Sequence, residues 1–320
     1  MEYPFDALHA GIESQILNLP AGIPDSQAVT QAQALPDSIE KFLALGKAFS
    51  RQLRYREAID AYTEGLKLEP ENLPLLRLRA GRYLTTLQSD LAITDFEKCL
   101  SLGAEKLDSL YRIGLAQYYA GRYAQAMGTF EDCMPLCDDE MGIAVLYWHT
   151  LSAARTEKAP TLLKYYRPDM AVGHHTAYEK AMQVWSGTTP LATTLEMLER
   201  EEDDLEYGIT LYGLLWHPDC AEKDCLSQAL LRRDGFWPSF AYLAAWKDWA
   251  GIPPCRRCAY TLQISSLFTI SIARFRMLFI LPTHSIGAVA FSFSVIPSNA
   301  AFCFTNRRNI SSACRSMPAR

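Results

Sequence analysis

The sequence predicts an all-α protein, a solenoid of stacked helical hairpins, and three observations support this prediction. When the sequence is shifted against itself by 34 residues, the same apolar residues coincide, as Ala58, Ala92 and Ala126 do. Within each period the apolar residues follow the i, i+3, i+4, i+7 spacing of an amphipathic helix, in two runs. Short turns such as "RQLRY" and "YAGRY" separate the two runs. One such hairpin cannot bury its apolar face alone, so the hairpins must stack.

The period extends over five apolar columns and two columns of small residues, each present three times. Small residues at fixed positions are what close approach of neighbouring helices requires. Pro70 follows the second helix of the first period, where a chain that stops being helical often places proline. The other columns are Ile59, Ile93 and Met127; Tyr62, Phe96 and Phe130; Leu66, Leu100 and Met134; Leu68, Leu102 and Leu136; Gly46, Ala80 and Gly114; and Gly65, Cys99 and Cys133.

These residues resemble the tetratricopeptide repeat (TPR) family. In the first unit, "LGKAF", "EAI" and "LKLEP", together with Tyr55 and Tyr62, occupy the positions of that family's signature. Arg79 departs from the pattern because an apolar residue is expected there, and Gln117 stands where the family has an aromatic residue. The resemblance implies a right-handed superhelix with a concave groove, and it indicates fold more than function. Its three units are 39–72, 73–106 and 107–140.

The segment before the repeats, residues 1–38, is expected to be an N-terminal segment or linker. It carries Glu2, Asp6 and Glu13 where a secretory signal would have a basic start followed by an apolar run. Nine cysteines, an odd number, suit reduced thiols better than a disulfide framework. We therefore expect a cytoplasmic protein.

After Glu140 the repeat pattern weakens. The stretch "MGIAVLYWHTLSAAR" predicts the first helix of a fourth unit, but Pro160 falls in the column of Ala58, so the second helix must be broken or shifted. We interpret residues 141–251 as divergent TPR-like hairpins that extend and cap the solenoid, with a separate small helical domain as the alternative. Further helices are predicted in "HHTAYEKAMQVW", "PLATTLEMLERE", "DLEYGITLYGLLW", "CAEKDCLSQALLRR" and "WPSFAYLAAWKDW".

The last 69 residues, 252–320, have a different composition and no helical pattern. They contain eight Arg and no Lys, Asp or Glu, so this tail carries +8 and the preceding body −13. Three interpretations stay open: a membrane segment, a β-prone tail that promotes aggregation, or the product of a changed reading frame. The abrupt loss of every acidic residue and every lysine favours the third. A membrane-tethered adaptor would depend on this tail alone.

The predicted function is that of a non-catalytic scaffold that binds another protein or an extended peptide. The acidic body argues against binding to nucleic acid, because contacts to phosphate require a basic face. The TPR resemblance implies that unpacked residues on the first helices line the groove. Basic residues at one end and tyrosines at the other would suit a peptide with an acidic and an aromatic or apolar residue. These candidates are Lys47, Ser50, Arg51, Arg77, Gly81, Thr85, Tyr111, Leu115, Tyr118 and Tyr119.

Two other interpretations of this surface follow from the same residues. The charged side chains could be merely solvated surface charges, and the tyrosines could be ordinary surface residues without a ligand. Binding of a terminal carboxylate, as in chaperone-tail-binding TPR domains, is disfavoured because the corresponding positions lack the paired Asn and Lys or Arg. Those positions hold Leu43, Lys47, Tyr111 and Leu115.

Several clusters suggest chemistry, but none completes a known motif. His217, Cys220 and Cys225 are spaced closely enough for metal ligands, with Asp219 or Asp224 as a fourth, yet no second pair accompanies them. A metal- or thiol-dependent enzyme in this region is the alternative function. We expect no enzyme activity and no cofactor, since phosphate loops, serine elbows and HExxH motifs are absent from the sequence.

Three further features receive structural interpretations. "CRRC", at 255–258, is a lone CxxC outside any βαβ context. His174 and His175 could begin a helix, where adjacent residues do not share a face. The acidic run 199–206 is expected to be a solvated helix end, with Asp203 as the N-cap of the next helix.

Overall fold

A computed structural model describes residues 26–233 and 235–249, and every regular element in these ranges is a helix. The prediction of an all-α solenoid of helical hairpins is confirmed. Two short 3₁₀ helices, Met134–Leu136 and Thr161–Tyr165, interrupt the α-helical series. The α-helices are α1 Ser26–Gln33, α2 Ile39–Arg51, α3 Tyr55–Leu68, α4 Leu73–Thr85, α5 Ser89–Ser101, α6 Lys106–Tyr119, α7 Tyr123–Cys133, α8 Asp139–Arg155, α9 Thr176–Trp185, α10 Leu191–Leu198, α11 Asp204–Leu215, α12 Lys223–Leu231 and α13 Phe240–Trp249.

Helices α2 to α7 form three successive hairpins, each packed on the next. The column of small residues lies against the column of aromatic residues within a hairpin. A Cβ atom on Gly114 would lie 2.7 Å from the ring of Phe130, and one on Gly46 would overlap the ring of Tyr62. Glycine is therefore required at these two positions for the helices to approach, as the small-residue column predicts.

The turn inside each hairpin has one residue in the left-handed region, at the same place in every unit. These residues are Leu53 with φ 60°, Leu87 with φ 55° and Gly121 with φ 75°. The next N–H closes the helix end by donating to a carbonyl five residues back, which satisfies a carbonyl that the helix leaves free. The N–H to O distances are 3.0 Å for Arg54 to Phe49, 2.8 Å for Gln88 to Tyr83 and 2.8 Å for Arg122 to Gln117.

The two departures from the TPR pattern each have a polar partner. Arg79 makes a two-pronged salt bridge to Asp95, with N to O distances of 2.7 and 2.8 Å, and also donates to Thr63 Oγ1 at 3.2 Å. Gln117 Oε1 accepts a hydrogen bond of 2.7 Å from Thr129. Polar groups at these packed positions are tolerated because they are hydrogen-bonded.

The segment assigned to a linker contains a helix that the sequence pattern did not predict. Helix α1 packs against α2, and Val29 and Ala32 of α1 are buried with Leu45, Ala48 and Ala61 of the first unit. An eight-residue helix shows too few turns for a clear period, so its existence depends on this contact.

The second part of the chain begins with α8, the predicted first helix of a fourth unit. As predicted, Pro160 breaks the following helix: a 3₁₀ turn follows it, and the displaced partner helix α9 starts only at Thr176. Helices α9 to α13, all predicted, pack mainly around α11. A single buried apolar cluster runs from Leu53 to Trp249, so these hairpins share a core with the regular units.

Within residues 26–233 and 235–249, no helix combines the length and apolar character needed to cross a membrane. Residues 252–320, with the CRRC pair and the three interpretations of the tail, lie outside the described residues.

Candidate functional site

A pocket lies between the first helices of the first two units, α2 and α4. Its cavity volume is about 410 Å³. Four apolar and two cationic side chains line it, and none of the lining residues is acidic. We name it the basic pocket; its residues are Leu43, Lys47, Leu73, Pro74, Arg77 and Leu78.

Arg77 is held in place by an acidic residue of the third unit. Its Nε donates to Asp108 Oδ2 at 2.9 Å, and Arg112 donates to the other oxygen at the same distance. Burial opposes ionisation of Asp108, but the two guanidinium groups outweigh it and lower the pKa of this carboxyl. The hydrogen bond to Asp108 raises the pKa of Arg77, whose side chain is still 50% exposed. Arg77 is thus oriented yet accessible.

Lys47 is exposed and forms no ion pair with any residue in the described part of the chain. Arg51, one turn further along α2, is also exposed. Ser50 is half-buried, and its Oγ lies 3.4 Å from Tyr62 Oη, so this hydroxyl faces the partner helix α3. The basic end of the predicted groove therefore presents Lys47, Arg51 and Arg77 to solvent.

Thr85 does not offer its hydroxyl to a ligand. The side chain is buried, and its Oγ1 donates to the carbonyl of Gly81 at 2.9 Å within α4. The expectation that Thr85 and Gly81 are available in the groove is corrected, because both residues are buried.

The tyrosine end of the predicted groove is also closed. Tyr111, Leu115, Tyr118 and Tyr119 on α6 are all buried, although the family pattern placed them on a free surface. The expectation that they are available to a ligand is therefore corrected. The physical reason is that the second part of the chain folds back over α6.

Two hydroxyl groups show how α6 is covered. Tyr118 Oη lies 2.8 Å from the hydroxyl of Tyr212 on α11, and Tyr119 Oη donates to the carbonyl of Phe240 at 2.8 Å. Burial raises the pKa of both tyrosines on α6. These phenols are therefore neutral structural groups with satisfied hydrogen bonds.

A partly buried ion pair fixes α13 in this position. Arg155 Nη1 donates to Asp248 Oδ2 at 2.7 Å, and Tyr212 Oη donates to the same oxygen at 2.8 Å. The guanidinium also lies 3.9 Å from the ring centre of Trp216 and 4.3 Å from that of Tyr123. Aromatic faces and a carboxylate together compensate the buried charge of Arg155.

The loop before α13 reaches the first unit. We name residues 235–249 the C-terminal strap. Its Trp237 is 1% exposed, and its ring centre lies 5.7 Å from that of Tyr55. The guanidinium of Arg82 lies 4.5 Å from the centre of the same Tyr55 ring. The strap therefore contacts both the first and the third unit.

The two adjacent histidines lie before α9, not inside it. His175 is the residue that precedes the helix, and the rings of His174 and His175 are 4.4 Å apart. Both line a second cavity, so the expectation that they cannot share a face is corrected. Asp203 caps α11 as predicted, since its Oδ1 accepts from the N–H groups of Leu205 and Glu206 at 2.8 and 3.0 Å.

The thiol and histidine residues around the junction of α11 and α12 do not form a metal centre. His217 lies 3.9 Å from Asp219, and its ring packs on Trp185 at 4.9 Å. Cys220 is buried, and burial raises the pKa of its thiol, which disfavours the thiolate. Within 26–233 and 235–249, no group of three or more His, Cys, Asp or Glu residues is arranged to hold a metal ion. This includes the set of His217, Cys220 and Cys225.

Several curated proteins are similar in sequence, and some of them carry the tetratricopeptide repeat in their names. Small glutamine-rich tetratricopeptide repeat-containing protein 2 of Saccharomyces cerevisiae is 24% identical over 147 residues, which cover 46% of this chain and 41% of that protein. Tetratricopeptide repeat protein 28 of Mus musculus is 30% identical over 159 residues, which cover 46% of this chain and 6% of that protein. Hsp70-Hsp90 organizing protein 3 of Arabidopsis thaliana is 27% identical over 97 residues, or 30% and 17% of the two chains. The chain thus spans less than half the length of each relative.

No family model matches the chain. Among solved structures, MamA from AMB-1 is similar with a TM-score of 0.41 and 17% identity, covering 59% of this chain and all of that one. YrrB, described as a TPR protein with an unusual peptide-binding site, gives a TM-score of 0.36 and 14% identity, covering 61% and 92%. Both scores lie below 0.5, so the assignment depends on the curated relatives and on the 34-residue period. The chain is thus similar to tetratricopeptide repeat proteins, and its described residues form a solenoid of stacked helical hairpins.

Proposed function

We propose that this protein is a scaffold that binds a partner polypeptide through the basic pocket of its first two units. The observation that carries the proposal is the lining of that pocket, where Lys47 and Arg77 stand among four apolar side chains without an acidic residue. The bound segment would carry an acidic residue beside an apolar or aromatic one. The sequence predicts the same kind of peptide, and we now propose that it binds only at the basic end of the groove.

The chemistry of the pocket supports an extended peptide better than a loose electrostatic contact. Leu43, Leu73 and Leu78 supply apolar surface whose burial favours association, at about 25 cal/mol per Å² of area removed from water. Lys47 has no acidic partner in the described part of the chain, so a carboxylate from a ligand would be its first ion pair. Arg77 is already oriented by Asp108, which reduces the side-chain entropy lost on binding.

The covered tyrosines support the same location. Since α6 lies beneath the C-terminal strap, a ligand on the first helices can reach α2 and α4 but not the buried face of α6. The names of two Arabidopsis relatives describe them as Hsp70-Hsp90 organizing proteins, which is consistent with a protein-binding scaffold. For this chain, a polypeptide partner is our proposal.

The test is selection of binding peptides followed by measured affinities. A random peptide library displayed on phage would be selected on the full chain, and the enriched peptides synthesised with a fluorescent label. We expect the enriched sequences to place Asp or Glu next to Leu, Phe or another apolar residue. Lys47→Glu should weaken their binding by about tenfold or more, because it replaces an attraction by a repulsion.

Lys158→Glu is the matched control, since it makes the same change of charge at an exposed position outside the pocket. Arg77→Gln is a second variant that removes the cation without facing Asp108 with a like charge. Equal binding by the wild type and Lys47→Glu, or enrichment of peptides without acidic residues, would overturn the proposal.

A further inference from the structure

A second cavity of about 500 Å³ lies between α9, the start of α11 and the C-terminal strap. We name it the acidic cavity. Its walls include the aromatic side chains of Tyr178, Phe236 and Phe240. Asp203 and Glu206 also line it, and no Lys or Arg does. Its charge is therefore opposite to that of the basic pocket.

Of the two histidines at this cavity, one lies beside a carboxylate and the other beside a backbone carbonyl. His174 Nδ1 lies 2.6 Å from the carboxylate of Glu140, and His175 Nδ1 lies 2.6 Å from the carbonyl of the same residue. Any proton on His174 is thus accompanied by the negative charge of Glu140. Lys180 and the N–H groups at the start of α11 offset part of the negative charge of Glu206 and Asp203, and the remainder acts on an entering ligand.

Glu206 has unused hydrogen-bonding capacity. Its Oε1 accepts from Thr176 Oγ1 and lies 3.7 Å from Lys180 Nζ. Its Oε2 is buried and has no hydrogen-bond partner among the described residues. A buried acceptor without a donor costs free energy, so an N–H donor that enters the cavity would stabilise this carboxylate after a small side-chain rotation.

We propose that the acidic cavity binds a basic side chain, arginine or lysine, of a partner polypeptide. Aromatic faces next to carboxylates attract a cation by two independent interactions, with the ring quadrupoles and with the negative charges. The cavity is larger than one side chain, and its rim is open to water, since the His174 side chain is 82% exposed. A side chain carried on a polypeptide fits such an open site. This inference does not depend on ligand binding at the basic pocket.

A pair of matched probes tests the proposal on the full chain. Acetyl-arginine amide and acetyl-citrulline amide have nearly the same shape, but only the first is a cation. Each would be titrated while the amide resonances are followed by NMR. We expect saturable shifts at Ala177 and Ile209, which line the cavity, with the citrulline compound binding about tenfold more weakly or not at all.

Variants separate charge from structure. Glu206→Gln keeps an acceptor for Thr176, and Asp203→Asn keeps the helix cap because Asn caps nearly as well as Asp. Both should reduce the affinity for acetyl-arginine amide by several-fold while the remaining spectrum stays that of the folded protein. Glu199→Gln is the control, since it neutralises an exposed acid of the same run outside the cavity.

Three results would overturn the proposal. The first is equal binding of the arginine and citrulline amides, and the second is no effect of either variant. The third is tighter binding of n-butylguanidine, a cation of the same charge without the backbone amides, which would assign the cavity to a small diffusible cation instead of a polypeptide.

Discussion

The regular half of the molecule, α1 to α7, and the divergent half, α8 to α13, use helical hairpins in different ways. In the regular half each hairpin packs on the next, and α2 and α4 keep an open pocket between them. In the divergent half the hairpins fold back, and α11 and α13 cover the tyrosine-bearing face of α6. The regular half thus leaves part of its helix surface open, whereas the divergent half buries the helix surface that it contacts.

Composition explains the difference. Helix α8 has twelve consecutive buried residues, from Gly142 to Ala153, so it is surrounded by other parts of the chain on all sides. The regular helices bury one face and leave the other to solvent. A helix that is apolar all round needs cover on every side; α7, α9 and the 3₁₀ helix Thr161–Tyr165 supply most of it, and α11 and the strap add side-chain contacts. Repeat position alone therefore does not determine which faces of a TPR helix stay open.

The largest expected effect comes from the aromatic core of the divergent half. Trp148 is fully buried, and its ring centre lies 5.1 Å from that of Tyr118 and 5.2 Å from that of Tyr147. Trp148→Ala should lower the free energy of unfolding by about 3–5 kcal/mol, through lost burial and a new cavity. Denaturant titration measures the change. Tyr165→Ala, at an exposed tyrosine, should cost less than about 0.5 kcal/mol, and similar losses for both would contradict the comparison.

A smaller effect distinguishes two partly buried ion pairs, one in each half. Removing Asp248 leaves Arg155 without its carboxylate, and removing Asp95 does the same to Arg79. Each alanine variant should lose about 1–3 kcal/mol of stability, because a partly buried arginine is left without its carboxylate. Hydrogen exchange should show faster opening of α13 in Asp248→Ala and of α4 and α5 in Asp95→Ala.

The exposed pair between Asp37 and Lys41 is the control for that experiment. Asp37 is 78% exposed, so Asp37→Ala should leave both the stability and the exchange pattern nearly unchanged. If Asp248→Ala and Asp95→Ala accelerate exchange in the same helices, the two halves do not open separately.

The smallest effect is a dependence on pH that arises in the divergent half, since α1 to α7 contain no histidine. Burial lowers the pKa of His149, and the hydrogen bond to Glu131 only partly opposes this. The unfolded chain therefore takes up a proton near the ordinary pKa of about 6.5 that the folded chain does not bind. Stability should fall as the pH drops through that value, by at most about 1.4 kcal/mol per pH unit for one group.

Unfolding at about pH 7.5 and pH 5.5 tests this, with His149→Gln as the variant that lacks the group. The wild type should lose more stability than the variant between the two conditions. An equal loss in both proteins would assign the pH dependence to carboxyl groups or to His217, whose pKa burial also lowers.

The helices of the three regular units, α2 to α7, could be predicted from the sequence almost completely, because each unit repeats both its pattern and its packing. The repeated positions that contain Gly114 and Phe130 identify which residues of the two helices in a hairpin contact each other. In the divergent half the helices were predictable from local patterns, and so was the break at Pro160. Helix α1 was not, because its eight residues are too few to show a period.

The candidate site was predicted in part, for a related reason. The family position of a residue gives the direction of its side chain but not what covers it. The contacts that close α6 join residues far apart in sequence, 94 residues for Tyr118 and Tyr212. A signal was nevertheless present, since four apolar and aromatic residues on one helix face make a patch that is rarely left in water. The aromatic helix α13 was the segment able to cover it.

The contact of Trp237 with Tyr55 has a consequence for how the gene can change. Tandem repeats commonly gain or lose whole units by duplication, because each unit touches only its neighbours. Here the strap spans from the third unit to the first, so an added helical pair would move Tyr55 away from Trp237 by on the order of 10 Å. The indole would then lose its partner ring. The contact between the strap and the first unit is therefore compatible with three regular repeats and would be lost if a fourth were inserted.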